Sequence, residues 1–182
     1  MVLYYNPNAS NPFVMMCYVG EDILYQNAET KGRKKLEDFL IYKGITDFNF
    51  TEDKYNQVDA VLTKNGKTYT IEIKDRNKKY ESYPTFIVEK SKVDYMDVLY
   101  KKSKTVNSLI CQIFGNHLYF FSYVKLKKLI DSGKVKEEKM KLPATTITKN
   151  DSRYKAVYLV PKEYAYLFIK DSNGDYKKQM IN

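Results

Sequence analysis

Asp59 and Glu72 are the residues of this sequence best placed to do chemistry together. They stand in Gln57-Val58-Asp59-Ala60-Val61-Leu62 and Tyr69-Thr70-Ile71-Glu72-Ile73-Lys74, on either side of Asn65-Gly66. Asn-Gly between two alternating segments is the strongest short-range hairpin signal. A two-residue turn there pairs Lys64 with Lys67 and, counting back, sets Asp59 directly opposite Glu72. Opposed residues have Cβ atoms about 4.5–5.5 Å apart, and like charges there destabilise a sheet. At an effective dielectric near 20, two unit charges ~5 Å apart repel by roughly 3 kcal/mol, a large share of a typical domain's stability. The pair is therefore either fully solvated and inert, or partly buried and in need of a divalent cation. With Lys74 two residues beyond Glu72, the second case is the equipment for hydrolysis by a cation-activated water.

The same register sends Val58, Ala60, Leu62, Tyr69, Ile71 and Ile73 to one face, which reads as core. Asp59, Val61, Thr63, Thr68, Thr70, Glu72 and Lys74 take the other. The plain alternative is a hairpin whose polar face lies in solvent. Upstream, the pattern predicts a helix over 21–43, with Ile23, Leu36, Phe39, Leu40 and Tyr42 as core positions and Gly44 to end it. A short strand is expected at 46–50, then the hairpin strands at about 56–63 and 68–75. After a polar loop at 76–83 come a strand at 84–89, opening on Pro84, and a helix at 91–100 carrying Val93, Met96, Val98 and Leu99. A second hairpin, 107–114 and 117–124, turns at Gly115-Asn116, and a helix at 125–132 closes at Gly133. The last expected strand is 153–161. Residues 1–20 read as a strand or extended arm, 21–169 as a single domain and 170–182 as a frayed tail. This is the pattern of an α/β domain with a mixed central sheet flanked by helices.

The whole chain narrows the partner. Its 182 residues carry a formal net charge of +9, which suits a polyanion, nucleic acid first and an acidic membrane surface second. Hydrophobic residues make up 43%, enough for a core that the 18 Tyr and 9 Phe must largely supply, since Trp is absent. Cys17 and Cys111 lack a C-x-x-C partner, and the lone His117 completes no zinc site with them. Both read as reduced, buried thiols, and His117 as structural. No apolar run approaches the ~18 residues of a membrane span, and the first residues lack signal-peptide character, so a cytoplasmic protein is expected. Serine or cysteine nucleophilic catalysis has no supporting triad pattern.

Gly32-Arg33-x-x-x-Glu37-x-x-Leu40-x-x-x-Gly44, then Val58-Asp59-Ala60, then Ile71-Glu72-Ile73-Lys74-x-Arg76, resembles the PD-(D/E)XK nuclease superfamily. The element order is similar to that of Holliday-junction resolvases and small phage or bacterial nucleases. The family's proline is absent, Val58 standing before the aspartate. The resemblance implies a restriction-endonuclease-like core and Mg²⁺-dependent hydrolysis of DNA, with Mn²⁺ as a substitute. It implies a cation held by Asp59, Glu72 and the Ile73 carbonyl, with Glu37 as a third acid reaching the metal through water. Lys74 would orient or deprotonate the water, its alternative being a plain salt bridge. Glu37 has the alternative of a solvated helix glutamate, and Lys92 that of an ordinary surface lysine. Arg76, Lys78, Lys79 and Lys92 are the expected phosphate contacts, and Thr145, Thr146 and Lys155 would close one side of a DNA groove. Related nucleases often dimerise to cut both strands, so a homodimer fits, as does a bacterial or phage origin. The competing reading is a non-catalytic nucleic-acid-binding protein on the same fold.

Overall fold

The computed structural model describes residues 29–52, 56–76, 84–143 and 152–181. The Asn65-Gly66 turn forms as its chemistry dictates: Asn65 and Gly66 both take positive φ, 52° and 68°, the mirror-image turn that matches strand twist. It joins β2 (Ala60–Lys64) to β3 (Lys67–Asp75), and the register runs from Lys64↔Lys67 to Ala60↔Ile71, as expected. β1 (Phe48–Phe50) pairs on the outer side of β2. The helix described over 29–42, α1, closes where Gly44 and Ile45 donate to the carbonyls of Ile41 and Leu40, both at 2.9 Å.

β4 (Thr85–Glu89) runs directly into α2 (Lys90–Lys102), which returns the chain to β5 (Val106–Phe114) parallel to β3. A two-residue turn leads into β6 (His117–Ser122), and Ser122 caps α3 (Tyr123–Asp131) by accepting from the Lys125 amide. β7 (Glu137–Pro143) and β8 (Ser152–Pro161) follow, then a 3-10 turn at Lys162–Tyr164, β9 (Tyr166–Lys170) and β10 (Tyr176–Gln179). The architecture is mixed α/β. A seven-stranded sheet has the order β1-β2-β3-β5-β6-β9-β10, and a three-stranded sheet the order β4-β8-β7.

Two cores sandwich the larger sheet. On one face Leu36, Phe39 and Leu40 of α1 pack on Ala60, Leu62, Ile71, Cys111 and Phe120. On the other, Phe86, Val88, Val93, Met96, Tyr123 and Leu126 pack on Ile110, Phe114, Tyr119 and Phe121. The hairpin's second face is therefore covered rather than wet: Thr70, Glu72, Ser108 and Gln112 are buried there.

Several expectations need correction. β8 is not the last strand, and the segment read as a frayed tail contains β10, whose Tyr176 is buried against Phe39. β7 and β9 were not expected. Val98 is 46% exposed rather than core, and Val124 belongs to α3 rather than to a strand. Residues 1–20, Ile23, Cys17, Lys78, Lys79, Thr145 and Thr146 lie outside the described residues. Among the described residues no helix is long and apolar enough to cross a membrane.

Candidate active site

Asp59 sits one residue before the β2 ladder begins. Its N–H donates to the carbonyl of Ile71 at 2.9 Å, although Ile71 already faces Ala60. Two residues thus oppose one, the arrangement of a β-bulge, so the expected direct pair of Asp59 with Glu72 does not form and the bulge re-aims the Asp59 side chain instead. The Asp59 carboxylate turns to β3 and accepts the Ile73 N–H through Oδ2 at 2.6 Å. Burial raises the Asp59 carboxyl above the ordinary range and the charge of Glu72 raises it further, while the Ile73 N–H, Lys74 and Lys92 pull it down.

Glu72 is 2% exposed. Lys74 Nζ lies 2.7 Å from its Oε1, and Lys92 Nζ, from the first turn of α2, lies 3.0 Å from its Oε2. Both carboxylate oxygens are buried and each is ion-paired, so the charge of Glu72 is held by two ammonium groups rather than by backbone or amide hydrogen bonds. Lys92 also donates to the carbonyl of Gln57 at 3.2 Å, tying α2 to the approach to Asp59. Burial works to lower Lys74, but Glu72 and Asp59 outweigh it and hold the ammonium above its usual value.

Around this centre lie Arg76 and Glu89, with Gln112 and Lys155 as their partners. Arg76 donates through Nε to Gln112 Oε1 at 3.1 Å, and Gln112 Nε2 donates to the carbonyl of Ile87 at 3.3 Å, which fastens the edge strand β4 to β3 and β5. Burial lowers the Arg76 guanidinium, partly offset by Glu89 and Glu72. Glu89, the last residue of β4, pairs with Lys155 of β8 at 3.2 Å. Three carboxylates, Asp59, Glu72 and Glu89, thus meet four cations, Lys74, Arg76, Lys92 and Lys155.

The structure brings together Asp59, Glu72, Lys74, Arg76, Lys92 and Lys155, but not Glu37. Glu37 pairs with Lys34 at 3.5 Å on α1, and α1 packs on the opposite face of the sheet. Its expected role as a third acid therefore has no geometric basis here. Gln112 and Glu89 were missed. Gln112 had a signal, a lone amide inside the apolar run Leu109–Phe114. Glu89 had none, being one more acid at a strand end.

No family model matches the sequence, and no curated protein matches it. One solved structure, of D212, a nuclease from a fusselovirus, aligns over 89% of this chain and 89% of its own, at 15% identity and a TM-score of 0.39. Agreement at that level does not carry an activity from one chain to the other.

Proposed function

We propose that this protein is a metal-dependent nuclease that hydrolyses phosphodiester bonds in DNA. The observation that supports this reading is Glu72, a carboxylate buried in a sheet between the Lys74 and Lys92 ammonium groups, beside a second carboxylate whose proton affinity is raised. Lys74 and Lys92 offset the charge of this pair, and a divalent cation bound by the two carboxylates would take over that role and free the ammonium groups for a phosphate. Asp59, Glu72 and the Ile73 carbonyl supply hard oxygen donors. Among the described residues no third His, Cys, Asp or Glu joins them. A donor set of two carboxylates and a carbonyl, all hard oxygens, suits Mg²⁺ or Mn²⁺. Bound there, such an ion would lower the pKa of a water and stabilise charge on phosphate oxygens.

The chain's own groups do the rest. Lys74, ion-paired with Glu72 at 2.7 Å, lies where it would give a positive charge toward the phosphate or orient the attacking water. Arg76 and Lys92 flank the same centre as phosphate contacts. With four cationic side chains against three carboxylates, the site is net positive before any ion arrives, as binding of a phosphodiester requires.

Purified protein is expected to cut DNA with Mg²⁺ or Mn²⁺ and to stop in EDTA. Glu72→Gln and Lys74→Met should each lower the rate by at least about a hundredfold. Full activity in either variant rejects the site, and no cleavage by the wild type with either ion rejects the function.

A further inference from the structure

β8 is the longest strand among the described residues, and its two halves have different neighbours. From Val157 to Pro161 it pairs with β4, the last pair being Glu89↔Val157. From Ser152 to Tyr158 it pairs with β7. Five pairs, Lys139↔Ala156 through Pro143↔Ser152, therefore extend past the end of β4 with no third strand beside them among the described residues. At ~3.3 Å per residue the two-stranded ribbon reaches roughly 17 Å beyond the sheet. No residue of these pairs is buried, and Tyr154 is 76% exposed.

The ribbon's chemistry is one-sided. Its five pairs carry Lys139, Lys141, Arg153 and Lys155 and no acid; Glu137 and Glu138 precede them at the base, Asp151 stands next to Ser152 in the sequence, and Lys155 is paired with Glu89 of β4. Alternation distributes the charge over both faces: Lys139, Lys141 and Tyr154 share one, Arg153 and Lys155 the other. A second copy of the chain is a poor occupant, because lysines and Pro143 on the open edge of β7 oppose strand pairing. The ribbon also starts beside the candidate active site, since Lys155 at its foot is the partner of Glu89. A polyanion held at Glu72 and Lys74 has this ribbon next to it.

We infer that the β7–β8 ribbon is a duplex-DNA grip that enters a groove and contacts phosphates on both of its faces. The inference names the substrate class of the site and rests on the nuclease reading for its biological use, but the binding itself does not. A B-form major groove about 12 Å wide and 8.5 Å deep admits a two-stranded β-ribbon. The deep, narrow major groove of A-form RNA does not.

The test is anisotropy of a labelled 20-base-pair DNA duplex, its single strand and the matching RNA duplex, in EDTA across a salt series. Wild type is compared with the triple variant Lys139→Ser/Lys141→Ser/Arg153→Ser. Each phosphate contact contributes about 0.9 to the salt slope, so the variant should lose roughly two to three units of slope and at least about tenfold in duplex affinity. Its melting temperature and its metal-dependent hydrolysis of bis(p-nitrophenyl) phosphate should match wild type, because the substitutions lie outside the candidate centre. Wild-type duplex affinity in the variant overturns the inference. So does an equal loss on the single strand, or equally tight binding of the RNA duplex by the wild type. If neither protein hydrolyses the small diester while the duplex-specific loss persists, the nuclease reading fails and the grip stands.

Discussion

At the residue scale the decisive group is Asp59. Burial and then the Glu72 charge raise its proton affinity, so the folded chain holds that proton to higher pH than the unfolded chain does. Stability from this group is full at acid pH and is lost as pH rises through the folded value. Above it, a charged Asp59 is a liability that a cation removes. Asp59→Asn keeps an oxygen for the Ile73 N–H and drops the charge. In EDTA at neutral pH it should melt higher than wild type, and its melting temperature should no longer fall as pH climbs out of the ordinary aspartate range. It should also lose the rise in melting temperature that Mg²⁺ gives the wild type. An unchanged response to Mg²⁺ removes Asp59 from the cation site. The acid was legible from Asn65-Gly66 by counting register, but its final direction was not. The bulge at Ile71 and the Ile73 hydrogen bond are three-dimensional choices that alternation does not encode.

At the element scale the site depends on how closely α1 sits on β3. A Cβ placed on Gly32 would stand 3.2 Å from Asp75 Cβ and 3.3 Å from Ile73 Cγ2, so the helix approaches the strand over a residue with no side chain. Lys35 of α1 then reaches Asp75 Oδ2 at 2.9 Å. Gly32→Val should push the two apart and destabilise by about 1–3 kcal/mol in denaturant titration, with a loss of cleavage because β3 carries Glu72 and Lys74. Stability equal to wild type refutes the close seating. The helix itself was legible from Leu36, Phe39 and Leu40, and Gly32 stood in the recognised motif. Which side of the sheet that helix covers was not, and that choice takes Glu37 away from the two acids.

At the scale of the whole molecule, the final strands complete the larger sheet. β9 pairs with β6, and β10 pairs with β9 as the outer edge. Tyr176 is 4% exposed, with its ring 5.1 Å from Phe39 and 5.4 Å from Tyr42. Removing residues 171–182 uncovers this aromatic cluster. Loss of one large buried ring costs about 3–5 kcal/mol, so the melting temperature should fall by on the order of 10 °C. A frayed tail would leave it unchanged. The strand was overlooked because Tyr176-Lys177-Lys178-Gln179 offers one apolar residue in four, and an edge strand needs no more than that.

What the sequence determined by itself was local: the turn at Asn65-Gly66, the two-residue alternation that followed from it, the close of α1 before Gly44, and the β5–β6 hairpin around Gly115-Asn116. Each is set by backbone chemistry within a few residues, and each formed in its expected place, the alternation holding as far as Ala60. The tertiary structure alone decided which charges share a space. Arg76, the Glu89–Lys92 junction of β4 and α2, Gln112 and Lys155 come from four separate stretches of chain, and only the packing of β4 and α2 over the second face of the sheet brings them around Glu72. Electrostatic cost depends on burial and distance. Burial is a property of the layers, and no local pattern carries it.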